Sequence, residues 1–134
     1  MKILVENSTW NNVGDGWYQY SIYYMLKKMY PHHEIRMGEG PITRAFRIKG
    51  TRFIENSLNL LDFQEADIHV FSGPMIPSII KDYKKAIIKI LSRGEKYCLI
   101  SSSGTGLQTS EIEEIGEFLR TYPPMFMTTR DRET

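Results

Sequence analysis

Four polar stretches in this 134-residue chain carry groups suited to holding a small anionic or hydroxylated ligand. The first is Asn7-Ser8-Thr9-Trp10-Asn11-Asn12-Val13-Gly14-Asp15-Gly16, which runs straight into an aromatic-rich helical segment. Free N–H groups and the dipole at a helix N-terminus attract anions and hydroxyls. Gly14 permits close backbone approach there, and Asn11 or Asn12 can supply amide hydrogen bonds. A loop-and-cap sequence with nothing bound accounts for the same residues equally well. The second stretch, Ser101-Ser102-Ser103-Gly104-Thr105-Gly106, offers hydroxyls and two glycines that can wrap a phosphate or carboxylate through backbone N–H groups; a mobile linker is the alternative. Ser72-Gly73-Pro74 has the simpler reading of a plain turn. Last, Arg130-Asp131-Arg132-Glu133-Thr134 presents two guanidinium groups, whose planar forks suit carboxylate and phosphate. Against this, terminal charge runs are commonly solvated, and Asp131 can pair with a neighbouring arginine.

Neither nucleotide-binding glycine pattern occurs, since GxGxxG and a P-loop lysine are both missing. Other reactive side chains read as structural. His32 and His33 follow Pro31 in a surface turn, His69 lies inside a strand as a packed core residue, and Cys98 is a small core residue. Trp10 can stack on a sugar ring or on its own scaffold. Asp15 is the best candidate for a general base, although a helix-capping role fits it better.

The surrounding pattern says what positions these stretches. Residues 3–6 are an apolar run ending in Asn7-Ser8-Thr9 and read as a buried strand. The next segment reads as a helix capped by Asp15, burying Tyr18, Ile22, Met25, Leu26 and Met29, and ended by Tyr30-Pro31. Residues 34–37 form a weak strand. Residues 41–52 read as a loop with a helical turn, and 53–61 as a helix. Residues 67–72 give the clearest strand. A helix over 77–93 buries Ile76, Ile79, Ile80, Tyr83, Ile87, Ile90 and Leu91, exposes its lysines, and stops at Gly94. Residues 97–100 are a fourth strand. A helix with Ser110 and Glu113 as its capping box buries Ile112, Ile115 and Leu119. Pro123-Pro124 ends it, and 125–129 form a fifth strand.

Strands alternating with helices, each strand a continuous apolar run, predict α/β architecture with a parallel sheet covered on both faces. In such sheets the ligand crevice lies beyond the carboxyl ends of the strands. All four polar stretches leave such ends.

Composition narrows the function classes. The chain is 41% hydrophobic and 25% charged, which fits one globular domain. Seventeen basic against sixteen acidic residues leave a net charge of +1, which gives no global field for nucleic acid or an anionic membrane surface. The apolar runs are too short to span a bilayer. One cysteine excludes an intrachain disulfide and any multi-cysteine zinc site. Glu6 interrupts the N-terminal apolar run too early for a signal peptide. The expected location is therefore cytoplasmic, with no metal and no cofactor. Because a parallel edge strand ordinarily has a covering helix after it, an end at Thr134 reads as a cut.

The order and spacing of these segments resemble the polysaccharide pyruvyl transferase family. The similar stretches are Asn12-Val13-Gly14-Asp15 between a strand and a helix, Ala66-Asp67-Ile68-His69-Val70-Phe71-Ser72-Gly73, Leu99-Ile100 with the Gly104/Gly106 loop, and Thr129-Arg130-Asp131 with Thr134. They extend over nearly the whole chain, each short, all in the same order. The resemblance implies a Rossmann-like doubly wound sheet of about five strands, forming the N-terminal half of a two-domain enzyme similar to GT-B glycosyltransferases. Residues 1–134 would form that single domain, and the C-terminal half would lie outside this chain. The implied activity moves a pyruvyl group from phosphoenolpyruvate onto sugar hydroxyls as a ketal, in cell-surface polysaccharide synthesis. The implied partners are phosphoenolpyruvate, a sugar or glycan acceptor and the second domain. Asn12, Gly14, Asp15 and Arg130 match the family's substrate positions, with Ser72, Gly73, Gly104 and Gly106 in the neighbouring loops. One departure is clear: the family's glycine run after the third strand is Ser72-Gly73-Pro74 here. Without the second half, whose basic and histidine residues face the donor, this chain alone is expected to be inactive. Two other readings stand beside this one, half of a GT-B-type glycosyltransferase using a nucleotide sugar and a non-catalytic, flavodoxin-like binding module.

Overall fold

The computed structural model describes residues 1–6, 13–38, 64–104, 106–130 and 132, without the side chains of Val13 and Asp15. Five strands form one all-parallel sheet: β1 (Lys2–Val5), β2 (Glu34–Met37), β3 (Ile68–Ser72), β4 (Lys96–Ser102) and β5 (Met127–Thr129). Their order across the sheet is β2-β1-β3-β4-β5. This is the doubly wound order of flavodoxin-type sheets, and it differs from the 3-2-1-4-5-6 order of dinucleotide-binding domains. The register pairs Leu4 with His69 and Val70 with Cys98.

Both faces of the sheet are covered, as the continuous apolar runs predict. Alternate side chains of a strand point to opposite faces. Ile3, Val5, Ile35, Ile68, Val70 and Cys98 pack with Ile22 and Leu26 of α1 (Val13–Met29). Phe71, Tyr97 and Leu99 pack on the other side, against Ile79, Ile87 and Ile90 and against Ile115 and Phe118 of α3 (Thr109–Thr121). Every residue of β3 is buried.

Several details differ from the sequence expectation. Helix α1 begins at Val13, so Asp15 lies in its first turn and is not its cap. Met25 and Met29 are exposed and Gln19 is buried. The sheet-facing line of α1 is Gln19, Ile22 and Leu26, which lies turned away from the two methionines. The expected helix over 77–93 is three helical pieces: a 3-10 turn (Ile76–Ser78), a π-helical turn (Ile79–Tyr83) and α2 (Lys84–Ser92). Eight residues of ideal α-helix overshoot whole turns by about 80°. The wider π turn advances less per residue. It thereby brings both Ile79 and Ile87 fully inward. Gly94 ends α2 with φ +75, as expected of a helix stop.

Strand β4 continues through Ser101 and Ser102, residues expected in a loop. The capping box of α3 is two residues earlier than expected: the Gln108 backbone N–H donates to the Glu111 carboxylate at 2.8 Å. With this start, Ile112 points to solvent and Phe118 takes its place in the core. Strand β5 is shorter than expected, and β1 and β3 shift by a residue at their ends. The expected loop over 41–52 and helix over 53–61 lie outside the described residues, as do Asn12, Thr105, Asp131 and Thr134.

Candidate functional site

In an all-parallel sheet every strand delivers the chain to the same edge, so Glu6, directly after β1, and the described segments after β3, β4 and β5 share the carboxyl rim. Hydrogen bonds tie three of these segments together. The Gly73 N–H donates to the Ile100 carbonyl at 3.2 Å, and the Arg130 N–H donates to the Ser102 carbonyl at 3.1 Å. Helix α1 reaches the same place, where the Tyr18 hydroxyl donates to the Ser72 carbonyl at 3.4 Å. Gly14 sits in the first turn of that helix, the end that favours anions.

Gly73 is required twice over. Its φ of +89 lies in the region that side-chain-bearing residues avoid, and a Cβ there would stand 1.9 Å from the Tyr18 hydroxyl oxygen. The space beside Gly73 is thus taken by the Tyr18 phenol. Ser72 is buried, and its hydroxyl has no hydrogen-bond partner among the described residues. The Ser102 hydroxyl is in the same state one strand over. Between them, Ser101 adopts φ 54 and donates its N–H to the Thr128 hydroxyl at 2.9 Å. It sits where the β4–β5 register slips between Leu99 and Ser102. Such bulges re-aim side chains at sheet rims. A non-glycine residue held in this conformation stores strain on the order of 1–3 kcal/mol. Gly104 is half-buried, Gly106 is exposed with φ +83, and the Arg130 side chain is exposed. Asn12 and the Asp15 side chain are outside the described residues.

A second set of chemical groups runs through the interior and was not anticipated. His69 is fully buried, as expected for a core histidine, yet both ring nitrogens meet carboxylates. Its Nδ1 lies 2.7 Å from Glu6 Oε1, and its Nε2 lies 2.8 Å from Glu95 Oε2. Arg93 completes the chain with a 2.6 Å hydrogen bond to Glu95 Oε2 and a 3.1 Å bond to the Gln64 carbonyl. Burial pushes the Glu6 carboxyl pKa up, against the opposing pull of the His69 hydrogen bond and charge and of Arg93. Burial acts on Glu95 in the same direction. There the hydrogen bonds and charges of Arg93 and His69 prevail and hold the carboxyl below its ordinary range. The set crosses three strands diagonally, from the carboxyl end of β1 to the amino end of β4. The clues in the sequence were weak: a histidine within an apolar run, and two glutamates flanking strands.

At the opposite, amino edge of the sheet lies an open depression of about 760 Å³, lined by Lys2, Asp67, Arg93, Glu95 and Lys96 among others. Two of its carboxylates are engaged: Asp67 accepts from the Lys2 backbone N–H at 2.6 Å, and Glu95 pairs with Arg93. The strained backbone, the partnerless hydroxyls and the helix N-terminus are all at the other edge, and these are what bind and orient a ligand. Among the described residues no group of three or more His, Cys, Asp or Glu side chains could hold a metal ion. Cys98 is buried, and burial lifts its thiol to about 11, which leaves it protonated and unreactive at neutral pH.

No protein-family model matches this chain, and no curated protein matches it.

Proposed function

We propose that this domain is the N-terminal half of a polysaccharide pyruvyl transferase-like enzyme, built as one half of a GT-B-like pair, and that its carboxyl rim binds substrate. The observation that supports this reading best is the meeting of four family-like segments on one rim. Gly14 in the first turn of α1, Ser72-Gly73, Ser102 through Gly104, and Arg130 all follow carboxyl ends of parallel strands. In the reaction, two sugar hydroxyls become bonded to C2 of phosphoenolpyruvate, C3 gains a proton to become a methyl group, and phosphate leaves. One hydroxyl proton accounts for the methyl group and the other leaves with the phosphate, so the donor presents a carboxylate throughout and a phosphate until it departs. Arg130 is suited to either as a bidentate donor. The α1 N-terminus and backbone N–H groups near Gly104 add fixed partial positive charge. These groups bind and orient. Proton transfer is assigned to the second domain.

Phosphoenolpyruvate binding, followed by ligand-observed NMR on this chain and on Arg130→Ala, tests the proposal. Arg130→Ala is expected to weaken binding about tenfold or more, the worth of a charge-assisted hydrogen bond, with no change in melting temperature. Binding of a nucleotide sugar in preference to phosphoenolpyruvate would move the assignment to a glycosyltransferase half. The strand order favours one further reading, a flavodoxin-like binding module without catalysis. Indifference to both ligands, and to the loss of Arg130, would select it.

A further inference from the structure

Helix α1 carries its largest aromatic side chains on the side away from the sheet. Gln19, Ile22 and Leu26 face inward, while Trp17, Tyr20 and Tyr24 are 79%, 54% and 64% exposed. At about 100° per residue, these three share one stripe opposite the buried line. Tyr20 and Tyr24 stack with ring centroids 6.4 Å apart, and Trp17 lies on the same side of the helix, so the stripe is an aromatic ridge. Monomeric proteins seldom present such ridges to water.

The charges at the far end of the ridge are positive. Asp15, in the first turn, is the only acid in the α1 sequence, and from Gly16 to His33 the chain contains no acid but has Lys27 and Lys28. Both lysines are in the last turn of α1, and Lys27 Nζ lies 5.3 Å from the Tyr23 ring centroid. Glu34, the first acid after this segment, is paired with Arg36 at 2.5 Å.

We propose that the outward face of α1 docks onto an anionic lipid bilayer, lying on its surface. Three features select this partner over another protein. Tyrosine and tryptophan, each an apolar ring with a polar handle, are the side chains that settle at the water–lipid boundary. Lysine is depleted in protein–protein interfaces but is drawn to anionic headgroups. The outer ridge of a single helix is also convex, which suits a broad, yielding surface. Contact is peripheral, since no described helix is long and apolar enough to cross a membrane. This proposal does not depend on pyruvyl transfer.

Cosedimentation with phosphatidylcholine vesicles, with and without phosphatidylglycerol, provides the test. The chain should bind the phosphatidylglycerol-containing vesicles, and added salt should weaken binding. In a Trp10→Phe background, Trp17 fluorescence should shift to the blue on binding. Trp17→Gln/Tyr20→Gln/Tyr24→Gln should lose the interaction. Lys27→Gln/Lys28→Gln should weaken it roughly 25-fold at low salt, about fivefold for each charge removed. All five positions are exposed, and far-UV circular dichroism checks the fold; if the triple variant unfolds, the lysine pair decides. Failure to bind anionic vesicles would overturn the proposal, as would binding that survives both sets of substitutions. A concentration-dependent dimer abolished by the aromatic substitutions, without vesicle binding, would assign the ridge to a second copy of the chain.

Discussion

The two ends of the sheet are built differently. At the amino end the groups around an open depression are mostly charged, with Arg93 paired to Glu95 and the Asp67 carboxylate accepting from the Lys2 backbone N–H. At the carboxyl end they are small and largely uncharged, with two buried serine hydroxyls that have no hydrogen-bond partner among the described residues, a non-glycine residue, Ser101, at positive φ, and the exposed Arg130. Matched charges satisfy one another and hold an edge together. Partnerless hydroxyls and strained turns contribute nothing to folding, and they make sense where a ligand completes the set. The open depression is therefore at the end with less capacity for chemistry.

Two glycines test this contrast with the largest expected effect. Gly73→Ala places a methyl group against Tyr18 in addition to straining the backbone, and is expected to cost about 3 kcal/mol in denaturant unfolding. Gly94→Ala has the same kind of φ but open space around it. It should cost about 1 kcal/mol, from backbone strain alone. Equal losses would mean that Tyr18 does not seal the carboxyl end. Next in size is the effect on ligand. Lys96→Ala, at the amino edge, should leave phosphoenolpyruvate binding unchanged where Arg130→Ala weakens it; a loss of binding in Lys96→Ala would move the site to the depression.

The buried histidine couples the ends and gives them opposite responses to pH. The Glu6 pKa is raised in the folded state, so its contribution to stability is full below the ordinary value of 4.5 and is lost as pH rises through the folded value. Glu6→Gln should therefore gain in melting temperature relative to the parent chain as pH rises above that value. The Glu95 pKa is lowered, so its contribution is present above 4.5 and is lost as pH falls through the folded value. Glu95→Gln should be less stable than the parent at neutral pH, and the gap should close in acid. Melting curves across pH that moved the same way for both variants would break the distinction. The smallest effect is expected midway along β4, where Cys98 should resist iodoacetamide at pH 8 until the chain unfolds, followed as a mass shift.

The sheet was readable in the sequence because burial on both faces leaves continuous apolar runs such as Ile68 through Phe71, and Gly94 marked its helix end through a conformation that glycine adopts readily. Patterns finer than burial were harder to read. Met25 and Met29 have helical spacing with Ile22, yet spacing fixes only an angular period, and the sheet is narrow enough to select a different line. Ser110 and Glu113 fit the sequence rule for a capping box, which asks for serine or threonine at the cap, yet α3 starts at Thr109 with Gln108 in that place. The bulge at Ser101 depends on β4 meeting β5, a pairing that local sequence does not encode. His69 was rightly placed in the core, but its two carboxylates come from 63 residues before it and 26 after it. Only the strand order brings them together.

That strand order also makes the imidazole a check on alignment during folding. Sliding β3 by one residue would turn His69 toward α1 and take its ring nitrogens away from both Glu6 and Glu95. Glu95 would keep Arg93, but the buried Glu6 carboxyl would lose its hydrogen bond to the ring, and a buried polar group without a partner is costly. Near-miss pairings of three largely apolar strands, which hydrophobicity alone would tolerate, are thereby disfavoured.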